Sequence, residues 1–195
     1  MTAPEPVERL LGTIVQLQLH TESLKRDGAF DPAPLASVDR ASVAAGGMLG
    51  WDGTGWVVDN HHTAHPRVRG GGRRVLSVGF TGHYDRIRRR FGATQTGVAG
   101  ENIVIDGPAV SAEDIAGGLV VRTAGGDVLE LRAPEPAVAC AGFTSFLLGS
   151  PVVLEREAIA DHLAWLSAGT RGFIVTVDHL DGPIEISVGD RVFTR

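Results

Sequence analysis

A chain of 195 residues with 43% hydrophobic and 21% charged residues has the composition of a globular domain able to bury a core without disulfide or metal staples. Its net charge of -5 and pI near 5.8 exclude the basic excess by which proteins neutralise phosphates along a nucleic acid, and no apolar run approaches bilayer-spanning length. The single cysteine, Cys140, rules out an intramolecular disulfide and an iron-sulfur cluster held by this chain alone. The opening MTAPEPVERL lacks the basic region and apolar stretch of a secretion signal. The cytoplasm is therefore the expected location, and one domain the expected organisation, with residues 1–11 as an N-terminal extension.

In chain order, GTIVQLQLH (Gly12 to His20) mixes β-branched and leucine residues in partial alternation and predicts a strand. Thr21 to Gly55 is rich in Gly, Pro, Asp and Ser and reads as loops with at most one strand, around Ser42 to Ala45. Trp56 to Val58 and Val75 to Phe80 predict further strands. Between them NHHTAHPRVRGGGRR is a long polar loop of the kind that carries function on a rigid scaffold. HYDRIRRRF (His83 to Phe91) has Tyr84, Ile87 and Phe91 at helical spacing and Gly92 to stop it. The runs GGLVVRT and DVLELRA, joined by Ala124-Gly125-Gly126, predict a hairpin. A helical segment is expected over 155–168, followed by strands in TRGFIVTVD, GPIEISVGD and RVF. Many short strands with few helices point to a closed or nearly closed sheet.

Several constellations could carry chemistry. HHTAH (His61 to His65) could bind a metal, but it lacks the glutamate of HExxH and is followed by Pro66, so histidines that cap and pair locally are the favoured reading. Arg86, Arg89 and Arg90 could converge on a phosphate, although such a run more often forms a solvated helix face. Gly70-Gly71-Gly72 lacks the lysine and spacing of a phosphate loop. Ser145 and Ser150 lie in no GxSxG elbow. Lys25, the only lysine, is the single place for a Schiff base. Cys140 sits in APEPAVACAGFTSFLLG, where a lone cysteine is ordinarily a small buried hydrophobe. The stretch FGATQTGVAGENIVIDG surrounds Glu101 and Asn102 with glycines that admit positive φ and close ligand approach. Asn offers a donor and an acceptor there, but both residues could equally tie down their own loop.

Three stretches in one order, AGENIVIDG (Ala99 to Gly107), CAGF (Cys140 to Phe143) and TRGFIVTVDHLDGPIEISVGDRV (Thr170 to Val192), resemble the MOSC domain family, the domain found at molybdenum-cofactor sulfurase C-termini. The resemblance implies a mainly β fold, a MOSC-like (pyruvate-kinase-type) β-barrel with a few peripheral α-helices, as a stand-alone module. It implies that Gly100, Glu101, Asn102, Arg171 and Gly172 bind a molybdenum cofactor (molybdopterin), and that Cys140 carries a persulfide sulfur or ligates molybdenum as the catalytic residue. Arg171 would meet the pterin phosphate. The implied activity is reduction of N-hydroxylated small-molecule substrates or sulfur transfer, with an external electron-donor or sulfur-donor protein as partner. The chain departs from many members in having Ala139 where they have proline. Two other readings stay open: a non-catalytic pterin- or anion-binding module, and a barrel whose Cys140 is buried and inert.

Overall fold

The computed structural model describes residues 8–66, 76–177 and 180–195; the Gly70-Gly71-Gly72 loop and Val75 lie outside them. Its organising strand is β1 (Leu10–His20), which buries Leu11, Ile14, Leu17 and Leu19. Its register shifts between Leu10 and Gly12 and again between Ile14 and Gln16. Each irregularity bends the strand. One strand can thus meet three partners in turn: β14 (Arg191–Thr194) near its start, β9 (Ile103–Asp106) in its middle, and β4 (Leu35–Val38) at its end.

From β1 the sheet runs through β9, β8 (Leu76–Phe80), β12 (Phe173–Thr176), β11 (Val128–Pro136), β10 (Leu119–Arg122) and β14, which pairs back to β1 and closes a seven-stranded barrel. Only β8 and β9 run parallel among these pairs. They need a crossover, supplied by α1 (Thr81–Phe91). Phe80, Ile105, Leu119, Leu131 and Phe173 fill the interior. Removing so much apolar surface from water is the main stabilising term of such a barrel. A second core lies outside it. There Tyr84 and Ile87 of α1 meet Phe143 and Leu147 of α2 (Ala141–Leu147) and Leu163 of α3 (Ala160–Trp165).

The strands expected at Gly12 to His20, Trp56 to Val58 and in the hairpin are present, as is the helix before Gly92. The region Thr21 to Gly55 differs, because it holds β2 (Lys25–Arg26), β3 (Ala29–Phe30), β4, β5 (Arg40–Ala44) and β6 (Gly47–Trp51). Strands β5 and β6 join β7 (Trp56–Val58) and β13 (Ile184–Ser187) in a separate four-stranded sheet. The helix expected over 155–168 begins only at Ala160. Residues before it make i→i+3 turns, Ala158 N to Glu155 O and Ile159 N to Arg156 O, and no side chain caps the first turn. Beyond Trp165 the chain continues as a π turn over Leu166–Thr170. Among the described residues no helix is long and apolar enough to cross a membrane.

Barrel closure leaves no room for a side chain at Gly12, where a Cβ would stand 1.8 Å from the Asp106 carbonyl oxygen. Backbone, unlike a flexible side-chain end, cannot step aside. Gly12→Ala is expected to destabilise the protein by at least the roughly 1–3 kcal/mol typical of overpacked sites, read as a lowered urea midpoint. An unchanged midpoint would show that β1 and β9 separate freely at this point.

Candidate functional site

A cleft of about 340 Å³ opens where the end of β1, the start of β8, the Glu101-Asn102 loop, the cysteine segment and the entry to β12 converge. Gly100, Glu101, Asn102, Cys140 and Arg171 all line it. Gly172 stands directly behind, since a Cβ there would meet the Val78 carbonyl at 2.5 Å and Glu101 Oε1 at 3.3 Å. Gly100 and Gly172 have φ of +88° and +98°, which L side chains rarely adopt. Both therefore shape the cleft through backbone.

Asn102 is 2% exposed and its amide is used at both ends. Oδ1 accepts from Ser77 N at 3.1 Å and Ser77 Oγ at 3.0 Å, while Nδ2 donates to Gln18 O at 3.3 Å and Asp59 Oδ2 at 3.1 Å. The loop-tying role left open for this residue is thus what its hydrogen bonds perform. Glu101, 3% exposed, accepts the Tyr84 hydroxyl at 2.6 Å, and the same hydroxyl accepts Ala99 N at 3.1 Å. Burial raises the Glu101 pKa, opposed by the Tyr84 hydrogen bond and the Arg171 charge. Tyr84 is pushed well above the ordinary phenol range, by burial first and then by Glu101. Its proton stays in place as the donor.

Arg171 leaves the π turn, whose i→i+5 bond joins Arg171 N to Leu166 O at 3.0 Å. Single π turns often mark functional positions. The guanidinium donates to Val138 O at 3.0 Å and Ala99 O at 3.3 Å, pinning the cysteine segment to the Glu101-Asn102 loop, and lies 5.5 Å from the Phe143 ring centroid. Its Nε is buried without a partner among the described residues. Cys140 is half-buried and caps α2, its sulfur accepting Phe143 N–H at 3.5 Å. The thiol is therefore open to the cleft and not sealed in the core.

Sequence reasoning missed a buried carboxylate behind the cleft lining. Asp59 is 0% exposed and its carboxylate accepts four hydrogen bonds: His20 N at 2.7 Å and Asn102 Nδ2 at 3.1 Å on Oδ2, His61 N at 2.8 Å and His61 Nδ1 at 3.0 Å on Oδ1. Burial alone would raise its pKa, but these bonds and the nearby His20 ring bring it below the usual range. It is ionised at neutral pH. His20 is 7% exposed, and burial chiefly lowers its pKa. Its ring must be the donor to Gly100 O at 2.6 Å, because a carbonyl only accepts. Lys25 also lines the cleft.

The other candidates lie elsewhere. His62 Nδ1 accepts Ala64 N at 3.0 Å, a local cap of the expected kind, and no cluster of three or more metal-ligating side chains occurs among the described residues. Arg86 and Arg89 are exposed on α1, and Arg90 lies 4.7 Å from the Trp165 ring centroid. Ser145 Oγ donates to Ala141 O and accepts Leu154 N, while Ser150 Oγ donates to Val152 O. Neither serine is paired with a histidine among the described residues.

No protein-family model and no curated protein sequence matches the chain. Solved structures do. The YuaD protein from Bacillus subtilis superposes with a TM-score of 0.53 over 95% of this chain and 94% of that one, at 15% identity. A structure described as a hypothetical protein gives 0.54 over 95% and 67%, also at 15% identity. YiiM from Geobacillus stearothermophilus gives 0.48 over 97% and 76%, at 14% identity. At such identity the first two likenesses establish a shared barrel fold.

The raised pKa of Glu101 has a sign that can be tested. A carboxyl whose folded pKa exceeds its unfolded value contributes stability below the unfolded pKa and loses it as pH rises through the folded one. Tyr84→Phe removes the hydrogen bond that holds this pKa down, so its cost grows with pH. Urea unfolding is expected to show a loss of about 1–3 kcal/mol near pH 7.5, as for a buried charged group deprived of its partner, and a smaller loss near pH 4.5. Equal losses at both pH values would mean that Glu101 is not ionised against Tyr84.

Proposed function

We propose that this chain is a MOSC-type barrel whose cleft binds a molybdenum cofactor or carries its sulfur, acting as a small reductase of N-hydroxylated substrates. One observation carries this reading: the only cysteine of the chain is half-buried in the same cleft as the Glu101-Asn102 loop and Arg171, the three landmarks on which the family resemblance rests. The volume of about 340 Å³ lies within the range of small-molecule sites.

The side chains present suit such a group. Cys140 is a soft donor of the kind molybdenum takes as thiolate. Arg171 has an unpartnered buried Nε and forms no ion pair with a carboxylate among the described residues, and with Lys25 it supplies positive charge for a phosphate. Glu101 and Asn102 would serve by holding the loop backbone against the ligand. When bound, the cofactor would supply a metal able to pass two electrons to an oxygen-bearing substrate. The chain's own residues orient the ligand and leave Cys140 accessible. Electrons would come from a partner protein, since one cysteine builds no cluster.

The unpaired cation also favours a second reading, a module that holds a pterin or another anion without turnover. Molybdenum content separates the two. In protein made in a cofactor-competent host, wild type is expected to retain molybdenum, Cys140→Ser to lose it with an unchanged circular-dichroism spectrum, and Arg171→Ala to bind the cofactor about tenfold more weakly, the size of one charge-assisted contact. Serine's oxygen is hard and stays protonated near neutral pH, yet it is nearly isosteric. Equal metal in wild type and Cys140→Ser would exclude Cys140 as ligand, and no metal in any protein would favour the anion-binding module.

A further inference from the structure

The cofactor reading leaves unused the imidazole of His61, which lines the cleft, and the buried carboxylate of Asp59 behind it. Asp59 Oδ1 accepts both the His61 backbone N–H, at 2.8 Å, and its Nδ1–H, at 3.0 Å. The pair of bonds fixes where the ring sits and which nitrogen holds the hydrogen. A neutral imidazole has one N–H, so the lone pair falls on Nε2. That atom has no hydrogen-bond partner among the described residues, and the side chain is 43% exposed while lining the cleft. An aspartate that merely closed the turn would need only the backbone bond.

The charged groups around His61 define what it can serve. Asp59 lies beneath it, and the His20 ring meets it edge-on with centroids 4.7 Å apart. His20 has its Nε2–H committed to Gly100 O and is not free to shuttle a proton. Lys25, Arg171 and Glu101 line the same cleft. Glu101 is turned to Tyr84, so the charges facing an incoming ligand from these elements are cationic.

We propose that Asp59 and His61 form the acid–base pair of this cleft, serving a small anion that carries a protonatable oxygen or nitrogen. Protonated His61 gives up its Nε2 proton: the Nε2–H bond breaks, the ligand O–H or N–H bond forms, and the ring is left neutral with Nδ1–H still on Asp59. The reverse transfer recharges it. No electron moves in either direction. Asp59, fully buried, is the positioning residue, and His61 is the group that meets the ligand.

The test uses protein free of molybdenum, so it stands or falls separately from the cofactor reading. Nitrogen-15 NMR of neutral His61 is expected to show the Nδ1–H tautomer. In parallel, Cys140 is alkylated with iodoacetate, an anion, and with iodoacetamide, its neutral analogue; the ratio of the two rates cancels the ionisation of the thiol. Between about pH 5 and about pH 8, where imidazoles change charge, the ratio is expected to fall further in wild type than in His61→Gln. The extra fall should be about two- to fivefold, the effect of one unit charge a few ångströms away through water. Comparison with the variant removes any contribution from Glu101, and circular dichroism checks that the exposed substitution leaves the fold intact. A dominant Nε2–H tautomer, or the same pH dependence in both proteins, would overturn the proposal.

Discussion

The buried carboxylate of Asp59 is the point on which the cleft depends. It gathers the backbone of β1 through His20 N, the Glu101-Asn102 loop through Asn102 Nδ2, and the histidine turn through His61. A carboxylate taken out of water without partners would cost several kcal/mol, so the elements must arrive together or the charge is stranded. Asn102 then transmits the constraint to β8 through Ser77 and back to β1 through Gln18 O. Removing either member would leave a buried donor or acceptor unmet, which costs more than the lost bond alone.

A second buried acid, Glu101, is held in the opposite balance. Four bonds keep Asp59 charged, whereas Glu101 has one strong donor in Tyr84 and a favourable charge in Arg171, and burial still prevails. The two buried carboxylates, Glu101 lining the cleft and Asp59 behind it, are thereby driven apart in proton affinity, a division that in enzymes separates acid and base roles. Tyr84 links this division to the outer helical core, because the same side chain packs with Ile87 and Phe143. The helices thus fix the electrostatics of the cleft as well as covering the barrel.

Much of this was legible in the residues, for reasons that differ element by element. The partial alternation of β1 and the tight hairpin are local signals, and local signals survive in one sequence. Strands β2 to β6, at two to five residues each, are too short to show a period, and their pairing is decided by distant partners such as β13. Helix α2 follows two prolines and contains Gly142, Thr144 and Ser145, none of them strong helix formers. It exists because Phe143 and Leu147 pack on α1 and α3. The Asp59-His61 pair escaped notice because aspartate two residues before histidine looks like any polar turn. Only the burial of Asp59 and its bond to Asn102, forty-three positions away, show otherwise.

Arg171 shows why the order of motifs was informative although their spacing was not. Its guanidinium touches Val138 O and Ala99 O, one residue from Cys140's neighbour Ala139 and one from Gly100. It spans the two other landmarks through their backbones, so it constrains where they sit and little about the intervening chain. The π turn that ends at Thr170 supplies the reach: an extra residue in the last turn changes the direction in which the chain leaves, and Gly172 then lets it pass the Val78 carbonyl into β12. A cation fixed by two carbonyls has donors to spare, and the buried Nε that remains unpartnered is a polar group that native interiors seldom leave unmet.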